Sequence, residues 1–149
     1  MTPNNKTPYF EDVEVGTNLP VLEKRPDEVQ LFAFSAATWD THRIHWDAPY
    51  TKDEEHMEGI LVHGHLQGSF LGQVVTDWAG PGSRLRKLGF QNRGMAYPND
   101  VLTCTGKVTE KRLDGDAGVV TCELWIENQH GNHPTTGEAV VELPLRGSS

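Results

Sequence analysis

The sequence predicts a single α+β domain in which an antiparallel sheet wraps one long central helix. Three observations carry that expectation. Apolar residues recur at helical spacing in two stretches, both before residue 80. After Gly82 the chain becomes four runs of β-forming residues separated by turn clusters such as Asp114-Gly115-Asp116. The length of 149 residues favours one core over two.

Residues 9–19, with Gly16 and Asn18 among extended residues, read as an irregular opening strand or loop. At Asp27 the pattern changes. Gln30 follows three residues later in a capping-box-like start, and Val29, Phe32, Ala33 and Ala36 then recur at helical spacing, which predicts a helix over 28–38. Residues 39–47 (WDTHRIHWD) break that periodicity and mix polar groups with large aromatics, as a cleft-lining loop does. The acidic stretch 51–58 predicts a short surface helix before Gly59. Ile60-Leu61-Val62 leads into His63-Gly64, and from there Leu66, Phe70, Val74 and Trp78, flanked by Leu71 and Val75, form the apolar stripe of a long helix. Gly80-Pro81-Gly82 ends it. Gly64, Gly68 and Gly72 fall four apart on one face of this helix. An interior glycine costs about 1 kcal/mol relative to alanine, so close packing against another backbone is expected there. Strands are expected over 84–91, 101–111, 118–128 and 137–145; in the third, Val120, Cys122, Leu124 and Ile126 alternate with Val119, Thr121, Glu123 and Trp125. The domain is expected to span residues 8–146, with 1–7 and 147–149 as flexible ends.

Composition narrows the function classes. No apolar run approaches the roughly 18 residues of a membrane helix, and residues 1–7 are polar without a signal-like apolar region, so a cytoplasmic protein is expected. A formal net charge of −8 argues against nucleic acid as a partner. Cys104 and Cys122 lack metal-ligand spacing and read as buried thiols on two strands rather than a disulfide.

The residues with chemical potential are concentrated in two short segments. Asp40 and His45 lie five apart in the polar–aromatic loop, and a loop can turn a carboxylate and an imidazole onto one water. A turn-capping Asp40 and an ordinary hydrogen-bonded His45 satisfy the same spacing. Gly64 opens the long helix, where unpaired backbone N–H groups at the positive end of the helix dipole can hold an oxyanion; it can equally be there only to let the chain turn. His42 with His45 and His63 with His65 have spacings that a metal site could use, but no HExxH or CxxC accompanies them, and no metal is expected. Arg84, Arg86 and Lys87 form the densest basic patch, in which Arg84 and Arg86 would share a strand face able to meet phosphates, or simply face water.

The segment Phe34-Ser35-Ala36-Ala37-Thr38-Trp39-Asp40-Thr41-His42-Arg43-Ile44-His45, followed by Ile60-Leu61-Val62-His63-Gly64 at the head of a long helix, resembles the MaoC-like (R)-specific enoyl-CoA hydratases. The resemblance implies a hotdog fold and the addition of water to a trans-2-enoyl-CoA to give a (R)-3-hydroxyacyl-CoA. Asp40 and His45 would be the catalytic pair and Gly64 N–H the oxyanion donor. His63 and the basic patch would lie on the substrate-binding side. It implies no cofactor beyond coenzyme A as part of the substrate. Where the family has Asn-Pro between the acid and the histidine, this chain has His42-Arg43, a form similar to mesaconyl- and itaconyl-type CoA hydratases, and His42 is the candidate to orient the water. Residues 75–81 (VTDWAGP) and Leu88-Gly89-Phe90 further resemble the short subunits of actinobacterial steroid side-chain enoyl-CoA hydratases, which pair with a second hotdog chain. A homodimer, or a heterodimer or heterotetramer, with acyl-CoA at the subunit interface is therefore expected. The alternatives are an acyl-CoA thioesterase and a partner subunit that completes another chain's pocket.

Overall fold

Asp27 starts the first helix as its spacing predicts, its carboxylate accepting the Gln30 N–H at 2.8 Å. The computed structural model describes residues 7–147. Helix α1 spans Glu28–Thr38, but the side it buries differs from the apolar stripe in the sequence: Leu31 and Ser35 point inward, while Val29 and Phe32 are 75% and 62% exposed. Helix α2 spans Ala48–Asp53, three residues earlier than expected, because Asp47 caps it through the Tyr50 N–H at 3.1 Å and Pro49 fits its first turn. Helix α3 spans Gly64–Ala79 and stops where Gly80 takes φ +66°, a left-handed value that glycine adopts without penalty.

The sheet has five strands: β1 (Leu22–Lys24), β2 (Arg84–Asn92), β3 (Leu102–Asp114), β4 (Ala117–Glu127) and β5 (Thr135–Leu143), in the order β1-β3-β4-β5-β2. Every neighbouring pair is antiparallel. The β3–β4 hairpin closes through Gly115 and Asp116, with Gly115 at φ +61° as the first turn residue. Leu71 and Val75 of α3 are fully buried, as are Cys122, Leu124, Ile126, Ala139 and Val141 of β4 and β5, all members of one core cluster. The alternation read in β4 is therefore correct, with its even-numbered residues facing the helix. Cys104 and Cys122 are free thiols in that core, and burial pushes both up to about 12, which keeps them protonated and unreactive.

Two parts of the chain depart from the sequence reading. The opening segment is more structured than expected: Phe10, Val13 and Leu19 are buried, Phe10–Asp12 forms a 3-10 turn, and the three-residue β1 follows it. Thr7, placed in a flexible end, donates its hydroxyl to Pro81 O at 2.9 Å; residues 1–6 and 148–149 lie outside the described part.

The glycine row of α3 meets side chains rather than a backbone. A Cβ on Gly64, Gly68 or Gly72 would touch Asn92, Phe90 or Leu88, respectively, the alternate residues of β2. Four helical residues rise about 6.0 Å and two strand residues about 6.6 Å, so the two repeats stay in step along the contact. This contact brings β2 alongside α3, with Asn92 at the helix N-terminus.

Candidate active site

The turn out of α1 sets the first functional side chain. Trp39 and Asp40 both donate their N–H groups to Ser35 O, and Trp39 takes φ 59°, unusual for a bulky residue. The reversal leaves Trp39 83% exposed and turns Asp40 back toward the loop. Oδ1 of Asp40 accepts the His42 N–H at 3.3 Å, while Oδ2 faces Nε2 of His45 at 3.9 Å. Asp40 therefore both caps a turn and faces the imidazole, one oxygen for each task.

His45 is fixed from the other side. Its segment Arg43–His45 is a 3-10 turn, and Leu61 clamps it by donating N–H to Ile44 O at 2.8 Å and accepting from His45 Nδ1 at 2.8 Å. A carbonyl oxygen can only accept, so Nδ1 carries the proton and the Nε2 of neutral His45 is a lone pair. Two acceptors, a carboxylate oxygen and an imine nitrogen, then face each other across a gap too long for a direct hydrogen bond. A water fits such a gap by donating one proton to each, which leaves its own lone pair free as a nucleophile.

His63, 1% exposed, lies flat against His45 with ring centroids 3.8 Å apart and planes at 19°. Its Nε2 bonds the Ser35 hydroxyl at 2.8 Å, and Phe34 meets it edge-on. Nδ1 of His63 is buried without a partner among the described residues. Burial, followed by the nearby charge of His45, pushes His63 down to about 4, so the ring beside His45 is neutral at ordinary pH. Asp40, His45 and His63 bring one ligand atom each within 4.8 Å of one another, a cluster that can in principle hold a cation. Two nearly parallel imidazoles, however, point their in-plane lone pairs side by side instead of at one centre, which suits proton transfer better than tetrahedral coordination.

Gly64 is the first residue of α3, and Gln67 is the first whose N–H bonds back, to His63 O. The amides of the opening turn thus point out of the helix end next to the His45–His63 stack. His42 is exposed, its ring 6.1 Å from His45. Arg43 is held away from the pair by Asp47 at 2.7 Å and by the Tyr50 ring.

The basic patch lies elsewhere. A bulge between Leu85 and Lys87 interrupts the strand register at Arg86, while Arg84 lies opposite Glu142, the residue that Arg86 also bonds. Arg86 is bridged to Asp114 at 2.7 Å and Glu142 at 2.9 Å, and Lys87 pairs with Glu138. Within the chain, Lys87 is five strand residues, about 16 Å, from the Asn92 end of β2.

A model of the hydroxyacyl-thioester dehydratase type 2 family matches residues 4–98, which include every residue of this site. The chain belongs to that family. The 3-oxo-4,17-pregnadiene-20-carboxyl-CoA hydratase beta subunit of Mycobacterium tuberculosis is 30% identical over 137 residues, covering 90% of this chain and 98% of the relative. The (R)-specific enoyl-CoA hydratase of Aeromonas caviae is 30% identical over 135 residues, with 90% and 98% covered. Among solved structures, an (R)-hydratase from A. caviae superposes with a TM-score of 0.79 at 29% identity over 90% of this chain and 99% of that one. The ChsH1–ChsH2 complex from M. tuberculosis has a TM-score of 0.77 at 25% identity over 87% and 98%. The hotdog architecture implied by the sequence resemblance is thus the observed one.

In this dehydratase-family chain the sequence brought Asp40, His45 and His63 to attention but not the groups that hold them. Ser35 gave no signal beyond lying in the resembling segment. Leu61 acts through its backbone, for which side-chain patterns carry no information.

Proposed function

We propose that the chain adds water to a trans-2-enoyl-CoA, giving a (R)-3-hydroxyacyl-CoA, with Asp40 and His45 as the water-holding pair. The observation that carries this reading is the proton placement at His45. Leu61 O holds Nδ1–H, so Nε2 and Asp40 Oδ2 face each other as acceptors 3.9 Å apart. As the water oxygen attacks C3, the pair takes one of its protons and returns one to C2 on the same face. Gly64 N–H holds the thioester oxygen while it carries the enolate charge. His42 takes the place of the family's water-orienting residue. Neither a metal nor a redox cofactor takes part in these steps.

A second subunit is part of the proposal. Strand β2 is an edge strand of nine residues, unpaired on its outer side among the described residues. Antiparallel pairing with the β2 of a second hotdog chain would bring that chain's counterpart of Arg84 and Lys87 next to this chain's Asn92 and Gly64 end, where phosphates of coenzyme A need cations. The beta-subunit name of the M. tuberculosis relative and the two-chain ChsH1–ChsH2 structure support the presence of a second subunit. Among the described residues no helix is long and apolar enough to cross a membrane. Two buried free thiols suit a reducing compartment, which supports a cytoplasmic location.

The test follows loss of the enoyl-thioester absorbance of crotonyl-CoA. Asp40→Asn and His45→Ala are each expected to lower turnover by about 10²- to 10⁴-fold without loss of fold. Near-normal rates in either variant would remove the mechanism, and release of free thiol would mark thioester hydrolysis instead.

A further inference from the structure

Two buried polar side chains near the site have no part in holding the water. Gln67, 2% exposed on α3, donates Nε2–H to Val62 O at 3.4 Å and accepts the Thr135 hydroxyl on Oε1 at 2.9 Å. Thr135, fully buried on β5, also bonds Oδ1 of Asn92 at 3.1 Å. Burying amide and hydroxyl groups costs stability unless each finds a partner, and here the single Thr135 proton is shared between the Gln67 and Asn92 amide oxygens in a chain running from Val62 O to Asn92. The chain ends on Asn92 Nδ2, which has no acceptor among the described residues.

Gly64 decides where that amide sits. A Cβ built on Gly64 would lie 2.0 Å from Asn92 Nδ2. The Cβ of any residue is about 2.5 Å from its own backbone nitrogen, so Nδ2 is within about 4.5 Å of Gly64 N. Two donors each about 2.9 Å from one oxygen, at an angle of about 100° between them, are about 4.4 Å apart. The spacing fits a shared oxygen.

We infer that Asn92 Nδ2–H joins Gly64 N–H in holding the thioester oxygen, as the second donor of the oxyanion site. This rests on the proposed hydratase reading. When water adds to C3, the C2–C3 π pair moves toward C1 and the carbonyl π pair onto oxygen; both donors hold that oxygen until C2 takes its proton and the carbonyl re-forms. The absence of a side chain at Gly64 acquires a second reason: any Cβ there would displace the amide. Thr135 and Gln67 act as positioning residues that fix the amide's orientation.

The experiment compares hydration of crotonyl-CoA by wild type, Asn92→Ala and Thr135→Val. It also records the carbonyl stretch of bound crotonyl-CoA carrying ¹³C at C1, in the Asp40→Asn and Asp40→Asn/Asn92→Ala backgrounds. Asn92→Ala is expected to lower kcat by about 10²- to 10³-fold with KM within about threefold. Thr135→Val, which leaves the amide but removes its anchor, should lower kcat by a smaller factor. The carbonyl band should shift down on binding to Asp40→Asn and return toward its free position when Asn92 is also removed. Asn92 is exposed, so its truncation leaves no buried cavity. An Asn92→Ala rate within about twofold of wild type, or identical bands in the two backgrounds, would overturn the inference. A wild type that binds crotonyl-CoA with an Asn92-dependent shift yet never hydrates it would count against the hydratase reading and leave this donor standing.

Discussion

His63 shows how one buried side chain ties stability to pH at this site. Its ring is neutral in the fold because burial pushes it down to about 4, whereas an unfolded histidine titrates near 6.5. Between those two values the unfolded chain binds more protons than the folded one. Stability therefore falls as pH drops from about 6.5 toward about 4, and above 6.5 His63 contributes no slope. Between pH 7 and pH 5 the loss from this residue is expected to be about 2 kcal/mol. His63→Phe keeps a flat ring against His45 but cannot titrate, so its urea midpoint should change less over that range, even if it is less stable at neutral pH through loss of the Ser35 bond. An unaltered pH slope in the variant would assign the effect to another group. Functionally, a neutral neighbour 3.8 Å from His45 leaves that imidazole free to gain a proton without facing a second fixed positive charge.

At the scale of elements, the contact between α3 and β2 is the one on which the site depends most. Phe90 ring atoms lie 2.3 Å from where a Gly68 Cβ would be, much closer than carbon atoms can approach. Gly68→Ala gains about 1 kcal/mol of helix propensity but forces the ring aside, and overpacking of this kind costs about 1–3 kcal/mol. A net loss of about 1 kcal/mol, a fall of about 2–4 °C in Tm, is expected by calorimetry. Phe90→Leu in the same chain should restore most of it. A rise in Tm for Gly68→Ala alone would mean that the ring yields freely and that the glycine row is not a packing device. Any shift of β2 along α3 would also move Asn92 relative to Gly64, so Gly68→Ala should depress turnover more than its small stability cost requires.

For the whole molecule, the exposed edge of β2 and the outward apolar residues of α1 are surfaces left open by a single chain. Pairing through β2 predicts a particle of at least twice the 16.6 kDa chain mass in light scattering. A stable monomer that is inactive alone but gains activity from a second hotdog chain would select the heteromeric form. A fully active monomer would remove the edge-pairing proposal.

Much of this protein is written in local patterns. The cap at Asp27, the apolar stripe of α3, the stop at Gly80 and the alternation of β4 could all be read directly, because each depends on residues within one or two turns or a few strand positions. The Asp40–His45 pair could be read too, since five residues of loop hold both groups. What the local pattern could not supply was the direction in which α1 faces, the existence of the three-residue β1, and the bulge beside Arg86. Nor could it supply the partners that give the site its chemistry: Leu61 O on His45, Ser35 on His63, and the path from Gln67 through Thr135 to Asn92. These contacts join residues 16 to 68 positions apart in the chain. Residue types and spacing determined the helices, most of the strands and the candidate acid–base pair; only tertiary packing, Leu61 against the His45 turn and α3 against β2, decided which proton His45 holds and which amide stands beside Gly64, because those depend on atoms that only the folded chain brings together.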